Sequence, residues 1–407
     1  MKTPFSQPFV MALLAFCCLA CQEATTRQAG ELSSQNTDNT PPQPLKVGAE
    51  QFDQYLPLIQ DKTVALVVNQ TSRIGERHLV DTLLAQGISI AQIFAPEHGF
   101  RGKADAGAQV ADGKDAQTGL PIVSLYGKNK KPRPQQLEGI EAVIFDIQDV
   151  GTRFYTYIST MHYVMEACAE AGIPFIVLDR PNPNGHYVDG PIREEGLKSF
   201  VGMHPSPIVH GLTVGELARM IRGEGWLEAD EACDLSVIPC SNYTHQTSYS
   251  LPVKPSPNLP NDQAIALYPS LCLFEGTQVS VGRGTDLQFQ VIGSPFHPED
   301  KSSFQFTPEP KPGAKYPKHQ GKACYGKKLQ DSLAYQQGFS LEELIFFYRN
   351  SQNQADFFNS FFPKLAGTAR LQQQIEAGMD EKEIRATWQE GLKAYRTMRE
   401  EYLLYEE

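Results

Sequence analysis

The chain has 407 residues, enough for two or three domains, and a formal net charge of −11 at pH 7. This charge leaves no basic stripe to neutralise phosphates, which argues against nucleic acid as a partner. No H-E-x-x-H or H-x-H spacing occurs, no G-x-G-x-x-G follows the first predicted strand and no P-loop is present, so we expect no metal site and no NAD or ATP cofactor.

The N-terminus is typical of a lipoprotein-type signal peptide, residues 1–21. An apolar run from Phe9 to Ala20 is too short to span a bilayer. Ala20 before Cys21 resembles a bacterial lipoprotein cleavage site, at which the cysteine is acylated; Cys18 stands where leucine is usual, and an ordinary cleaved signal is the alternative. Residues 22–45 are rich in Gln, Thr, Ser, Asn and Pro, which predicts a disordered tether. We therefore expect an exported cell-envelope lipoprotein, periplasm-facing or at the cell surface, held to the membrane by a lipid anchor on Cys21.

Residues 46–205 alternate apolar runs with helical patterns, which predicts a Rossmann-like, doubly wound parallel sheet of the α/β class. Each predicted strand is a short run of branched apolar residues, typical of strands covered on both faces. The predicted strands span residues 63–69, 88–94, 121–126, 142–146 and 174–179, and the predicted helices 78–86 and 158–171. Strands joined through helices are parallel, so their carboxyl ends meet at one edge.

Residues 206–407 predict a second, smaller α+β domain. Capping-box patterns at Thr213 to Glu216, Ser340 to Glu343 and Asp380 to Glu383 each open a predicted helix, the last running to about Leu404. Pro-rich connectors separate these elements. We expect this C-terminal domain to cover the carboxyl edge of the sheet and to leave a cleft there.

Polar motifs follow the predicted strands and converge at that edge. Carboxylates, amides and tyrosines suit a sugar, whose hydroxyls need paired donors and acceptors and whose C–H faces need rings. Several arginines in an acidic chain indicate an anionic group on the ligand, best a carboxylate. A local role is the alternative for each: Arg180 could pair with Asp179, and Asp146 could cap a loop. The candidate binding residues are Asn69, Arg101, Gln148, Arg153, Tyr155, Tyr157, Arg180, Asn182, Asn258 and Arg283, and the candidate reacting groups are Glu97, His98, Asp146 and Asp149.

The chain resembles the exo-β-N-acetylmuramidase NamZ family, glycoside hydrolase family 171. The motifs that carry the resemblance are APEHGFRG, FDIQDVGTRFYTY, LDRPNPNG, HGLTVGELA, SPNLP and EGTQVSVGRGT, in this order, and they span roughly residues 46 to 405. The resemblance implies an exo-acting hydrolase that removes N-acetylmuramic acid (MurNAc) from the non-reducing end of peptidoglycan fragments. The lactyl carboxylate of that sugar would explain the arginines.

Glycoside cleavage needs an acid at the leaving oxygen and either a nucleophile or a base that activates water. We assign Glu97 as the general acid/base, with His98 orienting it. Asp146 or Asp149 is the expected partner, with retention at a carboxyl separation of about 5 Å and inversion at roughly 6.5 to 9.5 Å. A third route is assistance by the 2-acetamido group of the substrate, which a carboxylate and a tyrosine would orient.

Two other classes of function stay open on the sequence. One is a non-catalytic muramyl-glycan-binding lipoprotein, which would need no opposed carboxylates. The other is a wall esterase or amidase, disfavoured because no G-x-S-x-G motif occurs. His210 is the best candidate for such chemistry, although a buried histidine bonded to backbone is the simpler interpretation.

Overall fold

The fold is built around a mostly parallel β-sheet. The structure, a computed structural model, describes residues 43–100, 112–329 and 338–407. The predicted signal peptide, Cys21, most of the tether and Arg101 lie outside the described residues. None of the described helices is both long enough and apolar enough to cross a membrane. Asn242 Nδ2 donates to the Pro44 carbonyl at 3.0 Å and Lys46 N to the Ser241 carbonyl at 3.1 Å. Pro44 and Lys46 therefore already belong to the compact unit of residues 44–407.

Seven strands form the central sheet, in the order β5-β6-β4-β1-β7-β8-β9. All neighbours are parallel except β5 and β6. The six parallel strands, taken in chain order, give the 3-2-1-4-5-6 arrangement of a Rossmann fold, which confirms the predicted fold class. The strands are β1 (Thr63–Val68), β4 (Ser89–Ala95), β5 (Gly113–Lys114), β6 (Pro121–Ser124), β7 (Ala142–Asp146), β8 (Phe175–Leu178) and β9 (Leu235–Ile238), and a short hairpin of β2 (Arg73–Ile74) and β3 (Arg77–His78) follows β1.

The sheet is buried on both faces, as its continuous apolar strands require. Along β1, Ala65 and Val67 point into one apolar core, and Val64, Leu66 and Val68 into the other. The helices of this part are α1 (Phe52–Ile59), α2 (Leu79–Ala85), α3 (Tyr157–Ala171) and α4 (Val214–Gly223). The fourth helix opens on the predicted capping box, in which Thr213 and Glu216 each bind the other's backbone N–H.

The C-terminal part is smaller and contains an antiparallel sheet in the order β10-β12-β11. Its strands are β10 (Val291–Ser294), β11 (Phe304–Phe306) and β12 (Cys324–Lys328). Its helices are α5 (Asp262–Leu271), α6 (Glu342–Asn350), α7 (Phe362–Ala366), α8 (Arg370–Glu376), α9 (Glu381–Ala386) and α10 (Gln389–Glu400). The second α+β domain expected from the sequence is therefore present.

Some elements after residue 205 differ from the expectation. The first sheet extends past residue 205, because β9 pairs parallel with β8 and ends at Ile238. The single terminal helix expected from Asp380 to Leu404 is two helices, α9 and α10. The Asp380 capping box forms as predicted. The box at Ser340 does not, since its hydroxyl accepts from Glu342 N, and Glu343 binds Lys327.

Candidate active site

The strand β4 delivers Glu97 through a tight turn. Gly99 N donates to the Pro96 carbonyl at 3.0 Å, and the two residues at the corner, His98 and Gly99, have positive φ of 68° and 74°. A left-handed backbone at His98 costs about 1–3 kcal/mol and is typical of functional turns. The turn leaves Glu97 partly exposed while His98 is buried.

Glu97 lines a small inner pocket, about 440 Å³ with its open mouth included. Aromatic rings form much of its wall and a few polar groups are placed among them. The lining residues are Glu97, His98, Phe154, Tyr155, Thr156, Tyr157, Ser256, Leu259, Tyr268, Arg283 and Phe289.

A larger outer cleft of about 1670 Å³, its open mouth included, adjoins the inner pocket. Both cavities share five lining residues, Glu97, Phe154, Thr156, Tyr268 and Arg283. Because Glu97 lines both, it lies where they meet. In a ligand that filled both cavities, an internal bond and not an end would therefore lie beside the Glu97 carboxylate.

Two hydroxyls hold the Glu97 carboxylate. Thr156 Oγ1 donates to Glu97 Oε2 at 2.9 Å, and Tyr126, which follows β6, forms a side-chain hydrogen bond to Glu97. Burial and the neighbouring carboxylate raise the pKa of Tyr126 well above its usual value, so its phenol keeps its proton. His98 Nε2 lies 3.4 Å from Ser256 Oγ. Thr156 and Tyr126 thus fix the orientation of Glu97 at the junction of the two cavities.

Tyr155 and Tyr157 present their rings to the inner pocket. Both hydroxyls donate to the Pro255 carbonyl, at 2.8 and 3.3 Å, and the two rings meet edge to face at 4.9 Å. Burial, together with the Glu97 charge, raises the pKa of Tyr157 far above its usual value. Tyr268 packs edge to face on Tyr155 at 5.9 Å. The pocket wall is therefore built of neutral, mutually supported rings.

Arg283 brings a cation to both cavities. Its Nε donates to Glu275 Oε1 at 3.0 Å, and its guanidinium lies 5.1 Å from the centre of the Phe289 ring. The side chain is 24% exposed, in contrast to the other predicted arginines of the described residues. Among those, Arg283 is the one that lines the site.

Arg153 and Arg180, which the sequence predicts to bind the ligand, line neither cavity and are bound within the protein. Arg153 is fully buried and its two Nη groups donate to four main-chain carbonyls, those of Pro191, Ser206, Leu365 and Ala366. Arg180 donates from Nε to Asp146 Oδ1 at 2.5 Å and from Nη2 to Oδ2 at 2.9 Å.

Asp146, a candidate reacting group, is likewise bound within the protein. The carboxyl group is fully buried, both of its oxygens accept from Arg180, and it lines neither cavity. The local alternative for Arg180 is a pair with Asp179, its neighbour in the sequence. The structure pairs it instead with Asp146, one strand away across the sheet.

Asp149, the other candidate partner of Glu97, also lines neither cavity. Its Oδ2 accepts from Gly151 N at 2.7 Å and lies 3.5 Å from Nε2 of His210. His210 is fully buried, and its Nδ1 accepts from Leu212 N at 3.2 Å. His210 is thus the backbone-bonded histidine of the simpler interpretation, which removes the basis for an esterase.

The predicted amides line neither cavity; Asn69, Gln148 and Asn182 follow strands of the central sheet, and Asn258 lies in the loop before α5. Each is buried and bound to neighbouring main chain or hydroxyl groups. Asn69 Oδ1 accepts from Thr71 N, Gln148 Nε2 donates to the carbonyls of Asp149 and Pro181, Asn182 Nδ2 donates to that of Leu212 and Asn258 Nδ2 to that of Gly313. These hydrogen bonds join neighbouring loops.

Several lining residues were missed by the sequence argument: Tyr126, Thr156, Ser256, Tyr268 and Glu275. Tyr126 is the last residue of a predicted strand, close to the sheet edge at which Glu97 was found. Thr156 lies between the two tyrosines of a motif already singled out. Tyr268 had no such signal, since it lies in an apolar helix that is typical of a core. Among the described residues, no group of three or more His, Cys, Asp or Glu side chains is placed to hold a metal ion.

Comparisons with known proteins agree with this architecture. Residues 64–263 match the model of the N-terminal domain of exo-beta-N-acetylmuramidase NamZ, and residues 266–405 that of its C-terminal domain. The chain is 38% identical over 373 residues to the peptidoglycan beta-N-acetylmuramidase NamZ of Bacillus subtilis (strain 168), covering 86% of this chain and 89% of that protein.

Two crystal structures of DUF1343-family proteins from Bacteroides fragilis are also similar. One has 47% identity and a TM-score of 0.83, covering 90% of this chain and all of the other. The second has 28% identity and a TM-score of 0.75, covering 89% of this chain and 99% of the other. The family models together span most of the described fold, and the resemblance seen in the sequence motifs is confirmed: the chain belongs to the exo-beta-N-acetylmuramidase NamZ family.

Proposed function

We propose that this protein is an exo-acting glycoside hydrolase that releases MurNAc from the non-reducing end of peptidoglycan fragments. The observation that carries the proposal is the place of Glu97 at the junction of a small inner pocket and a larger outer cleft. An enzyme that removes one terminal sugar needs a pocket for that sugar, a cleft for the leaving chain and a proton-transferring group between them. The Bacillus relative, by its name, acts on peptidoglycan as a beta-N-acetylmuramidase.

Arg283 fits the lactyl carboxylate that distinguishes MurNAc from N-acetylglucosamine (GlcNAc). It lines both cavities next to Glu97, and its contact with Glu275 engages Nε. A guanidinium presents further N–H groups in a planar fork that matches a carboxylate. We assign the recognition of the substrate's negative charge to this side chain.

Glu97 is the proposed general acid/base. It would protonate the leaving oxygen as the glycosidic bond breaks and then take a proton from the attacking water. Among the described residues, it is the one carboxylate that lines the inner pocket. That favours attack by the 2-acetamido oxygen of the substrate itself, with the tyrosines of the pocket wall orienting the amide. A substrate with a trifluoroacetamido group should then react much more slowly, and an equal rate would contradict this route.

Export and lipid anchoring are proposed from the N-terminal sequence alone. A signal peptide ending at Cys21, followed by a polar segment, would place the enzyme in the cell envelope beside its substrate. Incorporation of a labelled fatty acid by the parent chain but not by Cys21→Ser would support the anchor. Equal labelling of the two would contradict it.

Product analysis on a defined tetrasaccharide tests the proposed function. The substrate is a tetrasaccharide of alternating MurNAc and GlcNAc with MurNAc at its non-reducing end. Free MurNAc and the remaining trisaccharide should be its first products. The same chain beginning with GlcNAc should resist cleavage. Internal cleavage would contradict the exo assignment, and saturable binding without any release would favour the binding-protein alternative.

A further inference from the structure

The Pro-rich loop, residues 307–323 between β11 and β12, presents an unusual aromatic side chain to the outer cleft. Tyr316 is 83% exposed, whereas the other exposed large apolar side chains of the described residues are 37–38% exposed. It lines the outer cleft and is not among the residues that line the inner pocket. A tyrosine so exposed contributes little to the fold, so its place in the cleft calls for another explanation.

The loop is fixed on one side by Lys318. Its ammonium group donates to the main-chain carbonyls of Phe274, Thr277 and Val279, at 3.1, 2.5 and 3.0 Å. Next to it, a ring nitrogen of His319 lies 2.5 Å from the Gln278 carbonyl. The segment that directly follows Tyr316 is thus bound to the main chain of residues 274–279.

The loop is fixed on its other side by the segment that carries Arg283. Glu309 N donates to the Gly284 carbonyl at 2.9 Å. Gly284 has a φ of 81°, and a methyl group there would lie 2.7 Å from the ring of Pro317, so only glycine permits this contact. Asn258 Nδ2 donates to the Gly313 carbonyl at 2.8 Å. The main chain on both sides of Tyr316 is therefore anchored.

An exposed aromatic ring on an anchored main chain is suited to binding a ligand. Because the backbone is already ordered, the conformational entropy that this residue loses on binding is only that of its side chain. The Lys315 ammonium lies 5.6 Å from the centre of the ring, a cation–π distance. The C–H face of a sugar is the natural partner of such a ring.

We propose that Tyr316 is a stacking platform for the leaving part of the glycan, so that the enzyme binds chains longer than a disaccharide more tightly. The inference rests on the proposed function, because the outer cleft is taken as the side of the leaving chain. It assigns a specificity for substrate length to a residue outside the pocket that holds the reacting sugar. The tetrasaccharide reaches the platform, and the disaccharide does not.

Binding measured in a Glu97→Gln background tests this without turnover. Calorimetry should show that the MurNAc-ended tetrasaccharide binds more tightly than the disaccharide, and that Tyr316→Ala weakens tetrasaccharide binding about three- to tenfold while leaving disaccharide binding unchanged. Tyr316→Trp should keep the preference, because it retains a ring. Lys322→Ala, on the same loop and exposed, is the matched control and should change nothing.

Kinetics with an intact Glu97 give a second readout. Tyr316→Ala should raise KM for the tetrasaccharide by the same factor with kcat unchanged. The inference is overturned if the parent shows no preference for length, if Tyr316→Ala leaves the preference intact or if both substrates lose equally. Failure of the proposed function would appear separately, as absence of MurNAc release by the parent chain.

Discussion

Replacing Asp146 by Asn separates a structural from a catalytic role at the end of β7. In the parent chain, Arg180 makes two charge-assisted hydrogen bonds to this carboxylate, and both side chains are buried. At about 1.5–3 kcal/mol for each bond, the two bonds would contribute roughly 3–6 kcal/mol, but the cost of burying both charges offsets most of this gain. Removing one partner of a buried pair costs about 3–5 kcal/mol, because the other charge stays buried without compensation.

We therefore expect Asp146→Asn to lower the free energy of unfolding by about 3–5 kcal/mol, measured by urea unfolding at pH 7. At a temperature where the variant is folded, kcat for MurNAc release should stay within about threefold of the parent, since losses from chemistry are larger. The double variant Asp146→Leu with Arg180→Leu should recover most of the stability, because no charge is left in the apolar surroundings.

The reasoning would be refuted by the opposite pattern. If Asp146→Asn unfolds at the same urea concentration as the parent but loses about a hundredfold or more in kcat, then Asp146 takes part in the chemistry. A double variant no more stable than the single one would show that the ion pair itself is not what the substitution disrupts.

Two further predictions concern charge. Arg283→Ala should raise KM for the MurNAc disaccharide about tenfold or more, because a charge-assisted hydrogen bond to the lactyl carboxylate is lost. The same substitution should leave KM unchanged for a disaccharide whose lactyl carboxylate is amidated. An equal rise in KM for both substrates would contradict the role assigned to Arg283. Burial raises the pKa of Asp179 to about 6 from 3.8, so the folded state holds this proton more tightly than the unfolded state does. Its contribution to stability is therefore present below about pH 4 and lost as the pH rises through about 6. The free energy of unfolding of the parent minus that of Asp179→Asn should fall by about 2.4 kcal/mol between pH 4 and 7, and a constant difference would refute this prediction.

The sequence predicted the topology that forms the site. Apolar runs and intervening helices indicated parallel strands, and parallel strands bring their carboxyl ends to one edge. Glu97 after β4 and the motif with Tyr155 and Tyr157 after β7 were found in this way, and all three residues line the inner pocket. Such placement depends on local patterns, which a single sequence contains.

The sequence could not show which polar side chains face the cavity. Arg153 and Arg283 each lie in a polar motif with nothing in the sequence to distinguish them. In the structure, Arg153 donates to four main-chain carbonyls, whereas Arg283 lines the site. Two of those carbonyls, of Leu365 and Ala366, lie more than two hundred positions along the chain. Whether a buried donor is already satisfied depends on such distant contacts, which local pattern does not reveal.

Substitution of Glu97 by Gln tests the central claim most directly. Glutamine keeps the shape of the side chain and an acceptor for the Thr156 hydroxyl, but it cannot donate and accept a proton in the reaction. With the disaccharide MurNAc-β-1,4-GlcNAc, we predict that the parent chain and the exposed control Glu138→Gln release free MurNAc. Glu97→Gln should bind the disaccharide but release MurNAc at least about a hundredfold more slowly. Near-normal release by Glu97→Gln would contradict the account.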